Sequence, residues 1–212
     1  MSWLLHVDDD LVLVDKPAGL LSVPGRGSDK ADCAWARVRA EFPDALVVHR
    51  LDMATSGLLL FARGAAAQRA LSAAFEQRRV HKRYEALVQG CPDGDSGEIT
   101  LPLAADWPRR PLQRVDAEHG RPAHTRWRVL ARDVRRPNTP RTCALSRLAL
   151  EPLTGRSHQL RVHTAAMGWP IAGDALYGDA DSAPRLLLHA AGLALAHPRT
   201  GAVLQWCSDV PF

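Results

Sequence analysis

The sequence predicts an α+β fold with a central mixed, mostly antiparallel sheet, and three features indicate this class. Apolar runs of strand length recur along the chain and outnumber the segments with helical periodicity. Clusters of Pro, Gly and Asp separate these runs, as turn residues do. The two kinds of segment do not alternate strictly, as they would in a parallel sheet covered by helices on both faces.

The individual elements follow from the same patterns. Helices are predicted over residues 65–79, 157–167 and 31–41. In the first, Leu71 and Phe75 lie four residues apart on one apolar face, and the second stops at a glycine that is soon followed by a proline. Strands are predicted over residues 11–14, 58–62, 84–88, 125–130, 143–150, 186–195 and 202–206.

The composition is that of a globular protein. The 212 residues are 46% hydrophobic and 24% charged, which allows a sizeable core. No apolar run approaches the roughly 20 residues that a membrane span requires, and the first ten residues lack the basic and apolar regions of a secretory signal. We therefore expect a single cytoplasmic domain over residues 1–212, with no additional N-terminal domain.

Arginine supplies most of the positive charge. The formal net charge is +4, and Lys16, Lys30 and Lys82 are the only lysines among 27 basic residues. The guanidinium group suits phosphate oxygens and stacks on nucleobases. A GC-rich genome would raise the arginine content without a functional cause, so the ratio by itself leaves both explanations open.

A polar segment, residues 49–57, joins two apolar runs and contains Asp52. Polar side chains on a short loop between buried strands are well placed for chemistry, because the strands hold the loop rigidly. The same pattern also fits a turn carboxylate that accepts hydrogen bonds from nearby amides, with His49 structural and Arg50 on the surface. The residues alone do not separate these interpretations.

Two further segments carry candidate functional groups. A basic run, residues 78–83, directly precedes Tyr84, and an aromatic ring beside positive charge is a combination that holds an unstacked base. A core tyrosine and a solvated basic surface fit equally well. Arg156 follows a glycine turn at the predicted start of a helix, where the helix dipole favours an acid. An arginine there suggests a specific anionic partner, either a carboxylate or a phosphate.

Several other kinds of site are excluded. His158 and His163 are five residues apart, not the four that place two zinc ligands on one helical face. The four cysteines are scattered, without the paired spacing of a metal site. The glycines form neither a dinucleotide fingerprint nor a phosphate-binding loop. We therefore expect no metal and no cofactor.

Taken in order, the motifs resemble those of the RluA family of pseudouridine synthases. The resemblance covers nearly the whole chain, which makes it more specific than any single motif. The matching segments are 15–20 (Asp-Lys-Pro-Ala-Gly-Leu), 49–52 (His-Arg-Leu-Asp), 55–58 (Thr-Ser-Gly-Leu), 82–84 (Lys-Arg-Tyr), 154–163 (Thr-Gly-Arg-Ser-His-Gln-Leu-Arg-Val-His), 173–174 (Gly-Asp), 177–178 (Tyr-Gly) and 186–190 (Leu-Leu-Leu-His-Ala).

The resemblance implies roles for individual residues and an active site in a cleft. Asp52 would be the nucleophile, and Arg156 would pair with it and oppose the tendency of a buried carboxylate to protonate. Tyr84 would stack on the target uracil, and Arg50 would fill the space left by the extruded base. The expected RNA-binding residues are Arg50, His49, Thr55, Lys82, Arg83, Arg109, Arg110, Arg114 and His158.

The middle segment, residues 102–114, is similar to that of the family members with dual specificity. It implies stem-loop substrates in tRNA (anticodon stem-loop, position 32) and in 23S rRNA (position 746), bound by a monomer. One alternative is a synthase for another tRNA or rRNA uridine. A second is a non-catalytic RNA-binding assembly factor on the same fold, although such a protein has no chemical need for Asp52, Tyr84 and Arg156 together. A hydrolase using Asp52 and His49 lacks an identifiable oxyanion or metal site.

Overall fold

The computed structural model describes residues 3–25, 27, 30–134 and 145–212. The chain forms two compact units: unit 1 contains Met1–Lys82 and Ala190–Pro211, and unit 2 contains Arg83–His189 with Phe212. The expectation of one domain over the whole chain stays a prediction. No helix among the described residues is long and apolar enough to cross a membrane.

Strands and helices are both present, which confirms the α+β prediction. The α-helices of the described residues are α1 (Ala34–Glu41), α2 (Gly64–Glu76) and α3 (Gln159–Ala166). The strands are β1 (Leu4–Val7), β2 (Leu11–Lys16), β3 (Ala45–Val47), β4 (Ser56–Arg63), β5 (His81–Gln89), β6 (Ser96–Ile99), β7 (Leu103–Ala105), β8 (Gln113–Val115), β9 (Thr125–Ala131), β10 (Leu145–Pro152), β11 (Leu188–Ala196) and β12 (Val203–Cys207).

Unit 1 is built on antiparallel strand pairs. β2 pairs with β1 on one side and with β4 on the other, β3 also pairs with β4, and β12 pairs with β11. The register between β2 and β4 places Lys16 opposite Gly57. The end of β2 therefore lies beside the start of β4, where the loop that carries Asp52 enters the strand.

The core of unit 1 forms between this sheet and α2. Ala67, Leu71 and Ala74 of the helix are buried in one cluster with alternate residues of β2 and β4, such as Leu11 and Leu58. Because side chains alternate across a strand, this pattern places one face of each strand against the helix. The alanine-rich sequence favours helix formation, and its small side chains allow close approach to the sheet.

The end of α2 differs from the prediction. The helix stops at Glu76, whereas the prediction extended it to Arg79. Arg78 has a φ of 59°, in the left-handed region that ends a helix, and the Arg79 amide donates to the Ala74 carbonyl. The conformation of a single residue ended the helix, and periodicity carries no information about it.

Gly57 is required by close packing at the start of β4. Its φ is +110°, and a Cβ atom there would lie 2.4 Å from the Ala190 carbonyl oxygen. Both the backbone conformation and the contact exclude a larger residue. The glycine that follows the Asp52 loop is therefore needed for the loop to join the sheet.

Unit 2 contains a second set of antiparallel pairs. β10 pairs with β5 and β9, β6 pairs with β9, and β7 pairs with β8. Most of α3 is buried, including the polar residues Gln159, Arg161 and His163. The short strands β1, β3, β6, β7 and β8 were not predicted, because three or four residues carry too little periodicity. Part of the strand predicted over 143–150 lies outside the described residues.

Candidate active site

The Asp52 loop (residues 48–55) lies between β3 and β4 in unit 1. Asp52 is half-buried, and its carbonyl oxygen accepts a hydrogen bond from the Thr55 amide at 3.1 Å. Thr55 is only 2% exposed. The loop is thus a closed turn, with its last residue held in the protein interior.

Hydrogen bonds on both sides of Asp52 anchor this turn to the segment that follows β2. The Ser22 hydroxyl accepts from the Leu51 amide (3.0 Å) and donates to the Leu51 carbonyl (2.7 Å). The Gly19 amide donates to the Met53 carbonyl at 2.8 Å. The backbone is therefore fixed immediately before and after the candidate nucleophile, which is the preorganisation that catalysis requires.

Lys16 also holds the Asp52 loop in place through hydrogen bonds. Its side chain is fully buried, and its ammonium group donates to the carbonyls of Leu20 (2.7 Å), Pro17 (2.9 Å) and Met53 (3.1 Å). Burial lowers the pKa of Lys16 to about 8, and the negative charge of Asp52 partly opposes this shift. The Lys16 ammonium group is therefore a positive charge close to the Asp52 carboxylate.

His49 has a structural position in the same unit. Its Nε2 accepts a hydrogen bond from the Leu60 amide (3.0 Å), and its ring stacks on Phe75 with centroids 4.4 Å apart. These contacts tie the Asp52 loop to β4 and α2. An RNA contact by His49 would have to use Nδ1, and this role stays a prediction.

The half-buried His49 predicts acid-sensitive stability. Burial, together with the charge of Lys82, lowers its pKa from 6.5 to about 3. A lowered pKa contributes stability that is complete above pH 6.5 and is lost as the pH falls towards 3. Between pH 6.5 and 5 we expect a loss of up to about 2 kcal/mol in the free energy of unfolding.

The measurement is urea unfolding of the wild type and of His49→Gln over this pH range. Glutamine can still accept a hydrogen bond from the Leu60 amide but does not titrate, so its stability should fall less steeply. Equal slopes for the two proteins would contradict the prediction.

Lys82, Arg83 and Tyr84 lie on β5, whose first residues belong to unit 1. Burial and the nearby charge of Arg78 together lower the pKa of Lys82 to about 8. In unit 2, Arg83 donates to Glu85 at 2.6 Å, and Tyr84 lies opposite Leu150 of β10, half-buried. Strand pairing thus fixes the backbone of the tyrosine.

Arg156 lies in a turn of unit 2, and its expected position at the start of a helix is wrong. The turn is held by Gln159, whose Oε1 accepts from the Arg156 amide (3.0 Å) and from the Thr154 hydroxyl (2.6 Å). α3 begins only at Gln159, because His158 before it has a left-handed backbone conformation with a φ of 54°. The Arg156 guanidinium donates through Nε to the Pro122 carbonyl at 3.1 Å, which orients it.

The candidate RNA-binding arginines differ in their surroundings. Arg109 pairs with Asp106 (2.6 Å) and Arg114 with Asp116 (2.8 Å), while Arg110 lies over the ring of Trp107. The Arg50 side chain is exposed and has no hydrogen bond or ion pair within the described part of the chain. An exposed, uncommitted guanidinium is suited to contact RNA phosphates or bases.

The predicted catalytic residues are divided between the two units: Asp52 belongs to unit 1, and Tyr84 and Arg156 belong to unit 2. Their convergence on one uridine stays a prediction. Sequence reasoning missed the supporting residues Lys16 and Ser22. The signal for Lys16 was its place in the motif 15–20, which was used only as part of the resemblance.

Among the described residues, Asp8, Asp10 and His197 of unit 1 form a cluster of possible metal ligands. His197 Nδ1 accepts from the amides of Arg199 and Thr200, so the ring proton is on Nε2, 3.3 Å from Asp8. The Arg199 guanidinium pairs with Asp10 at 2.7 Å. These contacts explain the cluster as a network of hydrogen bonds and ion pairs. The network joins the segment before β2 to the segment after β11.

Comparison with protein families gives a match that spans most of the chain. The family model described as RNA pseudouridylate synthase matches residues 10–166. This span contains Asp52, Tyr84 and Arg156, as well as the supporting residues Lys16 and Ser22.

Two curated relatives extend the match to nearly the full length. The dual-specificity RNA pseudouridine synthase RluA of Escherichia coli (strain K12) is 46% identical over 215 residues, which cover 99% of this chain and 94% of that protein. The enzyme of the same name from Vibrio vulnificus (strain CMCP6) is 46% identical over 200 residues, covering 93% of this chain and 78% of its own length.

Solved structures share the fold. Human RNA Pseudouridylate Synthase Domain Containing 1 matches with a TM-score of 0.80 and 29% identity, over 99% of this chain and 83% of its own. Human RNA Pseudouridylate Synthase Domain Containing 4 matches with a TM-score of 0.75 and 23% identity, over 99% of this chain and 89% of its own. The second likeness concerns the fold alone.

Proposed function

Since the chain belongs to the RNA pseudouridylate synthase family and is an isomerase that acts on RNA, we propose that its substrates are stem-loops of tRNA and 23S rRNA. The observation that carries this proposal is the 46% identity, over 99% of the chain, to a synthase with dual specificity. The similarity of residues 102–114 to the corresponding segment of such enzymes also supports it. We further propose a cytoplasmic monomer.

The reaction sets the demands on the site. The bond between C1′ of the ribose and N1 of uracil breaks, the base turns, and a new bond forms between C1′ and C5. The C5 proton is then lost and N1 gains a proton, so the product is an isomer of the substrate. A nucleophile must hold the detached intermediate, and an ionised carboxylate is suitable.

Asp52 is proposed as this nucleophile. The hydrogen bonds of Leu51 and Met53 fix the backbone on both sides of it. Lys16 donates to the carbonyl of Met53 and lies close enough to interact electrostatically with Asp52. The carboxylate therefore lies on a rigid loop, with a compensating positive charge nearby. A nucleophile that must attack one particular atom of its substrate needs such a fixed position.

Tyr84 and Arg156 are proposed as the partners of Asp52 in the reaction. Tyr84 is held by β5 and would stack on the uracil ring, where its hydroxyl would assist removal of the C5 proton. Arg156 is held by Gln159 and would pair with the carboxylate of Asp52. Arg50 would enter the stack in place of the extruded uridine.

Tyr84→Phe separates stacking from proton transfer. Phenylalanine keeps the ring, so RNA affinity should stay within about threefold of the wild type, while turnover should fall about 100-fold, as for loss of a general acid or base. Affinity is measured by fluorescence anisotropy with stem-loop RNA, and turnover by tritium release. Tyr84→Ala should lose both properties, and wild-type turnover in Tyr84→Phe would assign no role to the hydroxyl.

The substrate proposal is tested with two RNAs labelled with tritium at C5 of uridine: a tRNA anticodon stem-loop and a 23S rRNA hairpin. Tritium release from both is expected. Mapping of pseudouridine in cells that lack the gene should show loss of one site in each RNA. Loss at other sites only would replace these substrates by a different uridine.

A further inference from the structure

A cavity of about 370 Å³ lies in unit 2, and neither Asp52, Tyr84 nor Arg156 is among its lining residues. Its lining includes Trp107, Arg110 and Gln113 from the segment between β7 and β8, and Ser157 and His158 from the turn before α3. The volume is at the lower end of the range for small-molecule sites, about 300–1,000 Å³. We refer to it as the Trp107 pocket.

An exposed aromatic and cationic pair forms one wall of the Trp107 pocket. Trp107 is 67% exposed, which is unusual for the largest apolar side chain. The guanidinium of Arg110 lies 3.5 Å from the centroid of its ring. A guanidinium stacked on an indole presents a flat, positively charged surface, and nucleobases stack on both kinds of plane.

The loop that carries this pair is held rigidly. Asp106 is 4% exposed and accepts hydrogen bonds from the Arg109 guanidinium at 2.7 Å. The Asp106 amide donates to the Leu112 carbonyl (2.9 Å), and the Leu112 amide donates to the Arg109 carbonyl (2.9 Å). The binding of a ligand here would therefore cost little ordering of the loop.

Tyr177 joins this loop to the opposite wall. Its hydroxyl accepts from the Gln113 amide at 2.8 Å and is hydrogen-bonded to Nδ1 of His158 at 2.6 Å. Its ring packs on the buried residues Leu103 and Val162. The two walls are thus fixed relative to each other by a side chain that is itself anchored in the core of the unit.

The polar groups of the walls suit the edge of a base. The Gln113 carboxamide oxygen is an acceptor, while its Nε2 donates to the carbonyls of Pro111 (3.4 Å) and Leu112 (3.2 Å). Ser157 adds an exposed hydroxyl. Within the described part of the chain, the residues that line the Trp107 pocket include no carboxylate. A planar, positively charged wall with amide and hydroxyl groups at its edge matches a nucleobase better than an aliphatic side chain or a lipid.

We propose that the Trp107 pocket binds an unpaired nucleobase of the RNA substrate, stacked on the Trp107–Arg110 pair. Ser157 and His158 directly follow Arg156 in the chain, so the base belongs to a nucleotide close to the target uridine. This inference rests on the proposed function, because it assigns a second recognised base to the same RNA. Recognition of the substrate then depends on two extruded bases, only one of which is modified.

The test is a double-mutant cycle between protein and RNA. The probe is the tRNA anticodon stem-loop, prepared with an abasic nucleotide at each loop position in turn. Affinity is measured by fluorescence anisotropy in an Asp52→Asn background, which prevents turnover. Trp107→Ala should weaken binding of the intact RNA by about 10- to 100-fold, the usual effect of removing one stacked base.

At one loop position, the abasic RNA should bind the Asp52→Asn protein as weakly as intact RNA binds the protein that also carries Trp107→Ala. Combining the abasic nucleotide with Trp107→Ala should then cause no further loss of affinity. Arg110→Ala should share this behaviour. The matched control is Arg39→Ala, because Arg39 is also exposed and lies over a tryptophan, with its guanidinium 5.0 Å from the Trp35 ring. It should bind every RNA like the parent protein.

The proposal would be overturned if Trp107→Ala bound intact RNA as tightly as the parent protein. It would also be overturned if, at every loop position, the affinity losses from Trp107→Ala and from the abasic nucleotide were independent and multiplied. Because Trp107 is exposed, its replacement should leave the unfolding temperature unchanged, and Trp107→Phe should restore most of the affinity. Failure of the proposed function would be seen separately, as absence of tritium release by the wild type.

Discussion

Asp52→Asn should reduce pseudouridine formation by at least about a thousandfold while RNA affinity stays close to that of the wild type. Asparagine has nearly the same shape as aspartate but is not a nucleophile towards the ribose or the uracil ring. The turn around residue 52 depends on backbone hydrogen bonds, which the substitution leaves in place. Binding and chemistry should therefore separate in this variant.

Tritium release from stem-loop RNA measures the chemistry, and anisotropy measures the affinity. Asp93→Asn is a suitable control, because Asp93 is exposed in the turn between β5 and β6 and its replacement removes the same charge. It should retain full turnover. Wild-type turnover of Asp52→Asn would contradict the role of Asp52, and absence of turnover in the wild type as well would support a non-catalytic RNA-binding protein.

Lys16→Met should destabilise the protein and also lower turnover. Methionine fills a similar volume, but it leaves three carbonyl oxygens without the donor that now satisfies them. With about 1–3 kcal/mol for each buried group left unsatisfied, we expect a loss of roughly 3 kcal/mol or more in the free energy of unfolding. The Asp52 loop would lose both an anchor at Met53 and the nearby positive charge.

Thermal unfolding and tritium release below the unfolding temperature measure the two effects. Lys30→Met provides the control, since Lys30 is exposed and the change in charge is identical. It should resemble the wild type in both assays. If Lys16→Met is destabilised but turns over RNA normally at low temperature, Lys16 supports the fold without positioning Asp52.

Much of the secondary structure follows from local patterns. The apolar spacing of α2 and the runs of β2, β4, β5 and β9 were visible in the sequence, because each contains enough residues to show a period. The end of α2 and the beginning of α3 were not, since they depend on the left-handed backbone conformations of Arg78 and His158. Such conformations involve one residue each and leave no repeated pattern.

The sequence by itself determined the α+β class, the polar loop that carries Asp52 and the ordered motifs of the family. Tertiary structure alone decided the surroundings of these residues. The buried Lys16 donates to the Met53 carbonyl, 37 residues away in the sequence, and the Ser22 hydroxyl bonds Leu51, 29 residues away. Local sequence encodes propensity and period, whereas burial and hydrogen-bond partners arise only when distant segments are brought together. For this reason the support of the Asp52 loop by Lys16 and the proposed stacking surface of Trp107 were recognised only from the fold.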